Sequence, residues 1–209
     1  MNYRIISVTS LMQNCCIVWC KLTRESIVID PGGNFEKIQQ ELSDLDLSPV
    51  KILITHGHLD HVGAAIELSK CYKIPILGPQ KLDKFLLESL LIKSKDILLK
   101  KHLDFKTHSW LEEGDKIVLG SLTFEVIHCP GHTPGHIVFF YRKGRFLISG
   151  DVIFKGGLGR TNFPKSNYKD LMNSIYMKLL PLGDDITFIP GHGSISTLGY
   201  EKINNPFLQ

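Results

Sequence analysis

The sequence contains no apolar run of about 18 residues, the length that a membrane-spanning helix requires. Its first residues, Met1 to Ser7, lack the apolar segment of a signal peptide. Low-complexity segments, internal repeats and a recognisable linker are absent as well. These absences predict a single domain over residues 1–209 that has no membrane partner and is located in the cytoplasm.

Cysteine is scarce. The chain has five cysteines, and an odd count without disulfide-like spacing is typical of a reducing compartment. Cys15, Cys16 and Cys20 lie in one apolar run, which favours buried free thiols over a metal site. We expect Cys129 to be inert, because no base lies at a recognisable spacing from it.

The excess of positive over negative residues is also small. A net charge of +3 is too weak to indicate nucleic-acid binding, so we expect no nucleic-acid partner and disfavour a nuclease. Apolar residues make up 43% of the chain, which is enough for a full hydrophobic core.

Periodic patterns indicate layers of strands and helices. Three short strand patterns precede an amphipathic helix pattern over 35–45, and two more strand patterns follow. Strand patterns dominate from 115 to 150, and helix patterns lie at 168–180 and 197–204. Two strand-rich regions predict two sheets packed face to face, with the helices outside.

Residues 80–102 combine leucines at helical spacing with several lysines. The simpler interpretation is one or two surface helices with a solvated lysine-rich face. The alternative is a lid that brings positive charge near an anionic substrate.

The densest group of metal-ligating residue types lies between a strand pattern and a helix pattern. The segment 55–61 contains His56, His58, Asp60 and His61. Residues two apart in extended backbone point the same way, so His56 and His58 face one side together. Imidazole and carboxylate groups are the usual ligands of zinc and similar divalent ions. The segment therefore predicts a metal site, with a solvated loop as the alternative.

Three further polar clusters follow predicted strands. Each combines a possible ligand with glycine, which lets the backbone turn sharply and approach a site. Any one of them is common loop chemistry, but together, after the first cluster, they are a strong signal. The candidates are His132 and His136 in the segment 131–136, Asp151 after Gly150, and His192 between Gly191 and Gly193.

The H-x-H-x-D-H segment, the later histidine, the aspartate after a strand and the final histidine resemble the metallo-β-lactamase superfamily over residues 5–192. The resemblance implies an α+β fold, a four-layer αββα sandwich of two mixed sheets face to face with helices outside. It also implies two divalent metal ions per chain, zinc in the first instance, with iron or manganese as alternatives. The implied ligands are His56, His58 and His132 for one ion, Asp60, His61 and His192 for the other, and Asp151 as a bridge.

Within the superfamily, the chain resembles short single-domain glyoxalase II-like hydrolases. The Asp60-His61 pair, the segment 156–164 and the tail 205–208 carry this likeness. Because residue 209 follows soon after His192, we expect no counterpart of the C-terminal helical domain of full-length glyoxalase II.

Two positions bear on the substrate. Ser194 stands where the glyoxalase II enzymes carry a tyrosine, and Arg160 takes the place of a glutathione-binding lysine. We therefore expect Arg160 to contact the substrate. His136 is predicted to contact the substrate or to support a ligand from behind, with packing at a strand end as the alternative.

The resemblance implies a metal-dependent hydrolase that cleaves a small thioester such as S-lactoylglutathione, in methylglyoxal detoxification. It also implies that the two ions would lower the pKa of a bound water, which would attack the acyl carbon, and that their positive charge would stabilise the oxyanion. Asp60 and Asp151 are the implied catalytic residues.

Two other functions stay open at this point. An iron-dependent persulfide dioxygenase shares much of this ligand set, and a metal-binding interaction domain would have little activity. His102, His108 and His128 have no ligand-like neighbours, so we expect them to be structural or exposed.

Overall fold

The computed structural model describes residues 1–93 and 107–209. The first sheet contains β1 (Asn2–Val8), β2 (Gln13–Trp19), β3 (Glu25–Ile29), β4 (Ser48–Leu53) and β5 (Ile76–Leu77), in that spatial order. The first two pairs are antiparallel, and the β3–β4 and β4–β5 pairs are parallel. Parallel neighbours end at the same edge, so the loops after β3 and β4 meet there.

The helices of this half are α1 (Phe35–Asp44), α2 (Leu59–Val62) and α3 (Ala65–Tyr72). A 3₁₀ turn (Lys81–Asp83) then leads directly into α4 (Lys84–Lys93).

The second half of the chain forms the other sheet and a short ribbon. Its strands are β6 (Lys116–Leu119), β7 (Leu122–His128), β8 (Ile137–Tyr141), β9 (Phe146–Gly150), β10 (Ile153–Phe154), β11 (Gly157–Leu158), β12 (Thr187–Pro190) and β13 (Ser196–Thr197). The sheet has the order β13-β12-β9-β8-β7-β6, and β10 pairs with β11 as a separate ribbon. Only the β12–β9 pair of this sheet is parallel, and both strands end at the edge that carries Asp151 and His192.

The outer helices of this half are α5 (Tyr168–Ser174) and α6 (Leu198–Asn204). Within the described ranges, no helix has both the length and the apolar character that crossing a membrane requires.

Three apolar layers hold the molecule together. Strand β2 is buried on both faces: Cys15 packs with Ile38 beneath α1, and Cys16 packs in the layer between the sheets. On the far face of the second sheet, Phe140 packs with Leu171 of α5. Alternate residues of a strand point to opposite faces, so one strand serves two layers. This arrangement confirms the predicted αββα sandwich, and all five cysteines are free.

The ends of the predicted helices differ in two places. The helix expected after the segment 55–61 begins inside that segment, so Asp60 and His61 lie within α2. The pattern at 168–180 is divided into α5, a π turn (Ile175–Leu179) and a 3₁₀ turn (Leu180–Leu182) that contains Pro181. Proline has no amide hydrogen to continue an α-helix. The ribbon strands and β13 were not predicted. Each has only two residues, which is too short to show the alternating pattern of a strand.

The segment 80–102 is described only as far as residue 93. Phe85, Leu86 and Ser89 of α4 line the cavity described below, and Leu87 is buried. The described part is therefore a wall of the cavity and not a purely solvated surface helix. Residues 94–102, which carry part of the lysine-rich stretch behind the lid hypothesis, and His102 lie outside the described residues.

Candidate metal centre

Seven potential ligands meet at the edge where both sheets end. The first sheet contributes the segment after β4 together with α2, and the second sheet contributes the loops after β7, β9 and β12. These residues are His56, His58, Asp60 and His61 from the first half, and His132, Asp151 and His192 from the second.

The first group consists of three imidazoles whose nitrogens almost touch. Nε2 of His56 lies 3.1 Å from Nδ1 of His58, and Nε2 of His132 lies 3.0 Å from the same atom. Ligand nitrogens in a tetrahedral zinc site with bonds of 2.0–2.1 Å are about 3.3 Å apart. The spacing therefore matches that of a ligand shell.

Hydrogen bonds on the far side of two rings define which nitrogen is free. His132 Nδ1 lies 2.8 Å from the carbonyl oxygen of Arg160, which can only accept, so Nδ1 carries the hydrogen. The Thr55 hydroxyl donates to Asp30 at 2.6 Å, so its oxygen accepts from His56 Nδ1 at 3.0 Å. Both rings thus present a bare Nε2 to the centre, as a metal requires.

The second group contains Asp60, His61 and His192. Asp60 Oδ2 lies 3.3 Å from Nε2 of His192 and 3.9 Å from Nε2 of His61. The other nitrogens of these histidines also donate: His61 Nδ1 to Asp30 Oδ2 at 2.9 Å, and His192 Nδ1 to the Leu11 carbonyl at 3.1 Å.

Asp151 lies between the two groups. Its Oδ1 is 3.4 Å from Nε2 of His61, and its Oδ2 is 3.5 Å from Nε2 of His132 and 3.7 Å from Nε2 of His192. Gly191 makes this approach possible, because a Cβ there would lie 2.0 Å from Asp151 Oδ1.

Two buried atoms show that the residues fit divalent cations. His61 Nε2 and Asp151 Oδ1 have no hydrogen-bond partner, although both are removed from water. A buried unpaired lone pair costs free energy unless another group, such as a cation, satisfies it. The donor set of imidazoles and carboxylates suits zinc, iron or manganese alike.

The two groups differ in charge. Burial, aided by the neighbouring histidines, lowers the pKa of His56 well below its ordinary value and that of His58 to about 4. Burial acts in the same direction on His61, but Asp151 and Asp30 outweigh it and raise the pKa of this imidazole. Burial alone would raise the pKa of Asp151, yet His61 and His132 hold it well below its ordinary range. The shifts of His56 and His58 therefore favour neutral imidazoles in the first group, whereas the shift of His61 favours a charged imidazole in the second group as long as no cation is bound.

An open cavity of about 750 Å³ leads to both groups. His58, Asp60, His132, Asp151 and His192 lie at its base. Its walls are mainly apolar and come from the β1–β2 loop, α4, the ribbon and the following loop, through Leu11, Phe85, Leu86, Phe154, Phe163 and Pro164. A concave apolar site of this size, with a few polar groups at its base, suits a small molecule.

The two predicted substrate contacts have different positions. Arg160 lines the cavity, with its guanidinium 4.8 Å from the centre of the Phe163 ring. His136 is 0% exposed, and its Nε2 accepts from the Asp151 amide at 3.0 Å. The predicted substrate contact of His136 is therefore wrong in this structure, because a fully buried ring cannot touch a substrate; it supports the Asp151 loop from behind.

The histidines predicted to be structural are engaged away from the centre. His108 Nδ1 accepts from the Ile76 amide at 3.0 Å, and His128 Nε2 donates to the Pro134 carbonyl at 2.8 Å. Cys129 is buried, and burial raises the pKa of its thiol, which agrees with the expectation that it is inert.

Asp30 is a functional residue that the sequence interpretation missed. Its carboxylate accepts from the Thr55 amide at 2.7 Å as well as from the Thr55 hydroxyl and His61. One signal was available: Asp30 directly follows a buried strand, as Asp151 does.

A four-layer αββα sandwich with histidine and aspartate groups at the shared edge of two sheets defines a class of metallo-hydrolases. This chain belongs to the metallo-beta-lactamase superfamily, whose family model matches residues 8–192.

Individual relatives extend the match to the full chain. The chain is 46% identical over 209 residues to the hydroxyacylglutathione hydrolase GloC of Haemophilus influenzae, covering 100% of this chain and 98% of the relative. Its structure is similar to that of the BLEG-1 B3 metallo-beta-lactamase, with a TM-score of 0.90 and 30% identity over 100% of both chains. It is also similar to TTHA1623 in a di-iron-bound form, with a TM-score of 0.86 and 34% identity over 98% of this chain and 100% of that one.

These findings confirm the predicted superfamily, the fold and the likeness to glyoxalase II-like hydrolases. They also confirm that the chain is a metal-dependent hydrolase, and they do not favour a persulfide dioxygenase or an inactive interaction domain.

Proposed function

We propose that this protein hydrolyses a glutathione thioester such as S-lactoylglutathione, using two divalent ions, zinc in the first instance. The observation that carries the proposal is Asp151, whose two oxygens face His132 on one side and His61 on the other. A carboxylate in that position can be shared by two cations. The proposed ligands are His56, His58 and His132 for the first ion, Asp60, His61 and His192 for the second, and Asp151 for both.

When bound, the two ions would supply a water whose pKa is lowered toward about 7 and positive charge near the acyl oxygen. Asp60 borders the cavity with 20% of its side chain exposed, so it can orient the attacking water through a hydrogen bond. Water adds to the acyl carbon, the carbon–sulfur bond breaks, and the sulfur leaves with the proton that the water lost. The products are a carboxylic acid and a thiol.

The cavity supports a substrate with an apolar part and a carboxylate. Phe85, Leu86 and Phe163 offer apolar surface, and Arg160 offers a guanidinium that can hold a carboxylate by two parallel hydrogen bonds. The full-length similarity to a hydroxyacylglutathione hydrolase supports glutathione as the thiol part.

The proposal is tested with zinc-loaded protein and S-D-lactoylglutathione. We expect hydrolysis that a chelator abolishes and added zinc restores. Asp151→Ala should lose activity, because it removes the shared ligand, while its circular dichroism stays that of the wild type. Asp44→Ala changes an exposed aspartate of α1 and serves as the control.

Hydrolysis that survives both chelation and Asp151→Ala would refute the proposed function. A panel of lactones, other thioesters and persulfides, with an oxygen electrode, extends the test. Oxygen consumption with a persulfide, in place of thioester cleavage, would assign the dioxygenase reaction instead.

A further inference from the structure

Asp83 is a buried carboxylate beside the first ligand group, but it is not one of the proposed ligands. It is the last residue of the 3₁₀ turn that leads into α4, and it is 0% exposed. A buried carboxylate is costly unless several donors satisfy it, so its partners indicate what it holds in place.

Those partners belong to the two loops that carry the first ligand group. Asp83 Oδ2 accepts from the amide of Gly57, between His56 and His58, at 2.9 Å. The same oxygen accepts from the Thr133 hydroxyl at 2.7 Å, and Oδ1 accepts from the Gly135 amide at 2.6 Å. Thr133 directly follows His132. One carboxylate therefore connects the backbones on both sides of the first group.

Close packing supports the same connection. A Cβ on Gly57 would lie 2.9 Å from Cβ of Leu86, and a Cβ on Gly135 would lie 2.5 Å from the Asp83 amide nitrogen. Both glycines therefore allow the start of α4 to lie directly against the two loops. The second group has other supports, namely Asp30 and the Leu11 carbonyl.

We propose that Asp83 is a positioning residue that sets the separation of the His56–His58 loop and the His132 loop, and thereby the metal affinity of the first group. This inference rests on the ligand assignment of the proposed function. An asparagine at this position would turn an amide NH₂ toward one of three donors and leave that donor unpaired. The loops would then separate, although each ligand would still be present.

The experiment measures zinc affinity by competition with a chromophoric chelator, without substrate. Asp83→Asn is made in two backgrounds, His192→Ala, which keeps the first group intact, and His132→Ala, which keeps the second. Loss of a hydrogen-bond partner behind metal ligands typically weakens metal binding about 10–100-fold. We expect a loss of that size in the His192→Ala background and no change in the His132→Ala background.

A second pair of variants covers the case in which Asp83→Asn does not fold. Thr133→Val removes the hydroxyl that donates to Asp83, whereas Thr133→Ser keeps it. We expect weaker zinc binding in the valine variant and wild-type binding in the serine variant. Leu42→Ala opens a cavity under α1, an element that carries no proposed ligand and no partner of Asp83, and controls for a general loss of stability.

Equal zinc affinity in the Thr133→Val and Thr133→Ser variants would overturn the proposal, as would an Asp83→Asn loss that is equal in both backgrounds. If Leu42→Ala weakened zinc binding as much as Asp83→Asn, the effect of Asp83 would be one on overall stability, and the proposal would also be overturned. Failure of thioester hydrolysis would leave these affinities measurable, so the two proposals fail separately.

Discussion

Arg160 connects the cavity and the metal centre through different parts of one residue. Its guanidinium lies over Phe163 at the cavity wall, while its carbonyl oxygen accepts from His132 Nδ1. A substitution of the side chain removes the first contact and leaves the second, because the backbone remains. The two functions can therefore be separated by mutation.

Arg160→Ala should raise KM for S-D-lactoylglutathione about tenfold or more, equivalent to ~1.4 kcal/mol or more, with a much smaller loss in kcat. The proposed contact is to a carboxylate remote from the reacting carbon, so it would stabilise ground state and transition state alike. Steady-state kinetics with this substrate and with an uncharged thioester of similar size provide the measurement. Lys155→Ala, which removes a cation near Tyr200, is the matched control. Equal losses on both thioesters would exclude a carboxylate contact.

Asp30→Asn should weaken zinc binding by the second group about 10–100-fold and by the first group less, because Asp30 accepts from His61 directly but reaches His56 only through Thr55. His61 Nδ1 depends on Asp30 for its acceptor, and the Thr55 amide and hydroxyl compete for the same carboxylate. The zinc content after dialysis against a graded chelator series provides the readout. Asp44→Asn, at an exposed site, should keep both ions. If Asp30→Asn retained both ions at the wild-type affinity, the proposed role of Asp30 would be wrong.

The pH dependence of metal binding should differ between the groups. Cations compete with protons for imidazole, so a ligand of raised pKa releases its metal at higher pH. The pKa of His61 is raised, and that of His192 is raised too, since Asp60, Asp151 and the Leu11 carbonyl together outweigh burial, whereas burial lowers the pKa of His58 to about 4. Dialysis at about pH 5.5 should therefore remove the ion of the second group first, since ordinary histidine titrates near 6.5. Metal counts at a series of pH values check the order, and simultaneous loss would contradict it.

At the level of elements, the last helix holds the ribbon that borders the cavity. Glu201 of α6 is buried, and its Oε2 accepts from the Gly156 amide at 2.8 Å. Asn205 donates to the Gly157 carbonyl at 3.1 Å and to Glu201 at 2.9 Å. The tail and the glycine-rich segment, which pointed to the same family in the sequence, are therefore physically connected.

Asn205→Ala should lower the free energy of unfolding by about 1–3 kcal/mol, because a partly buried carbonyl and a buried carboxylate each lose a hydrogen-bond donor. Asn204→Ala changes the exposed neighbouring asparagine and should stay within about 0.5 kcal/mol of the wild type. Denaturant titration of both variants measures the difference. A loss of similar size in both would show that the buried bonds of Asn205 have no special weight.

At the scale of the whole molecule, the metal centre joins the two halves of the sandwich. Four of the proposed ligands follow the first sheet, and three follow strands of the second. An ion shared by both halves binds the folded state far better than the unfolded chain, so it stabilises the fold by mass action.

Removal of the metal should therefore lower the unfolding temperature. A free zinc concentration one hundred times Kd corresponds to about 2.7 kcal/mol of stabilisation per site. Calorimetry with and without chelator gives the shift. A His132→Ala/His192→Ala double variant, deficient in both groups, should show almost none; an equal shift in that variant would place the zinc elsewhere.

The sequence by itself predicted two face-to-face sheets with helices outside and, through its resemblance to the superfamily, the family, the four-layer order and the residues of the two proposed ligand groups. These predictions depend on local patterns: the period of two in strands, the period near 3.6 in helices, and four potential ligand residues within the segment 55–61. Glycine beside each of the later ligands added a signal that is also local.

Only the tertiary structure decided which groups support those ligands. Asp30 lies 31 residues from His61 in the chain, and the Leu11 carbonyl lies 181 residues from His192. His136 belongs to the segment 131–136, which the sequence predicted to contain site residues, yet the fold buries it behind Asp151. An aspartate in a turn or a backbone carbonyl has no distinctive local pattern, because its role arises only when loops from separate strands meet at one edge.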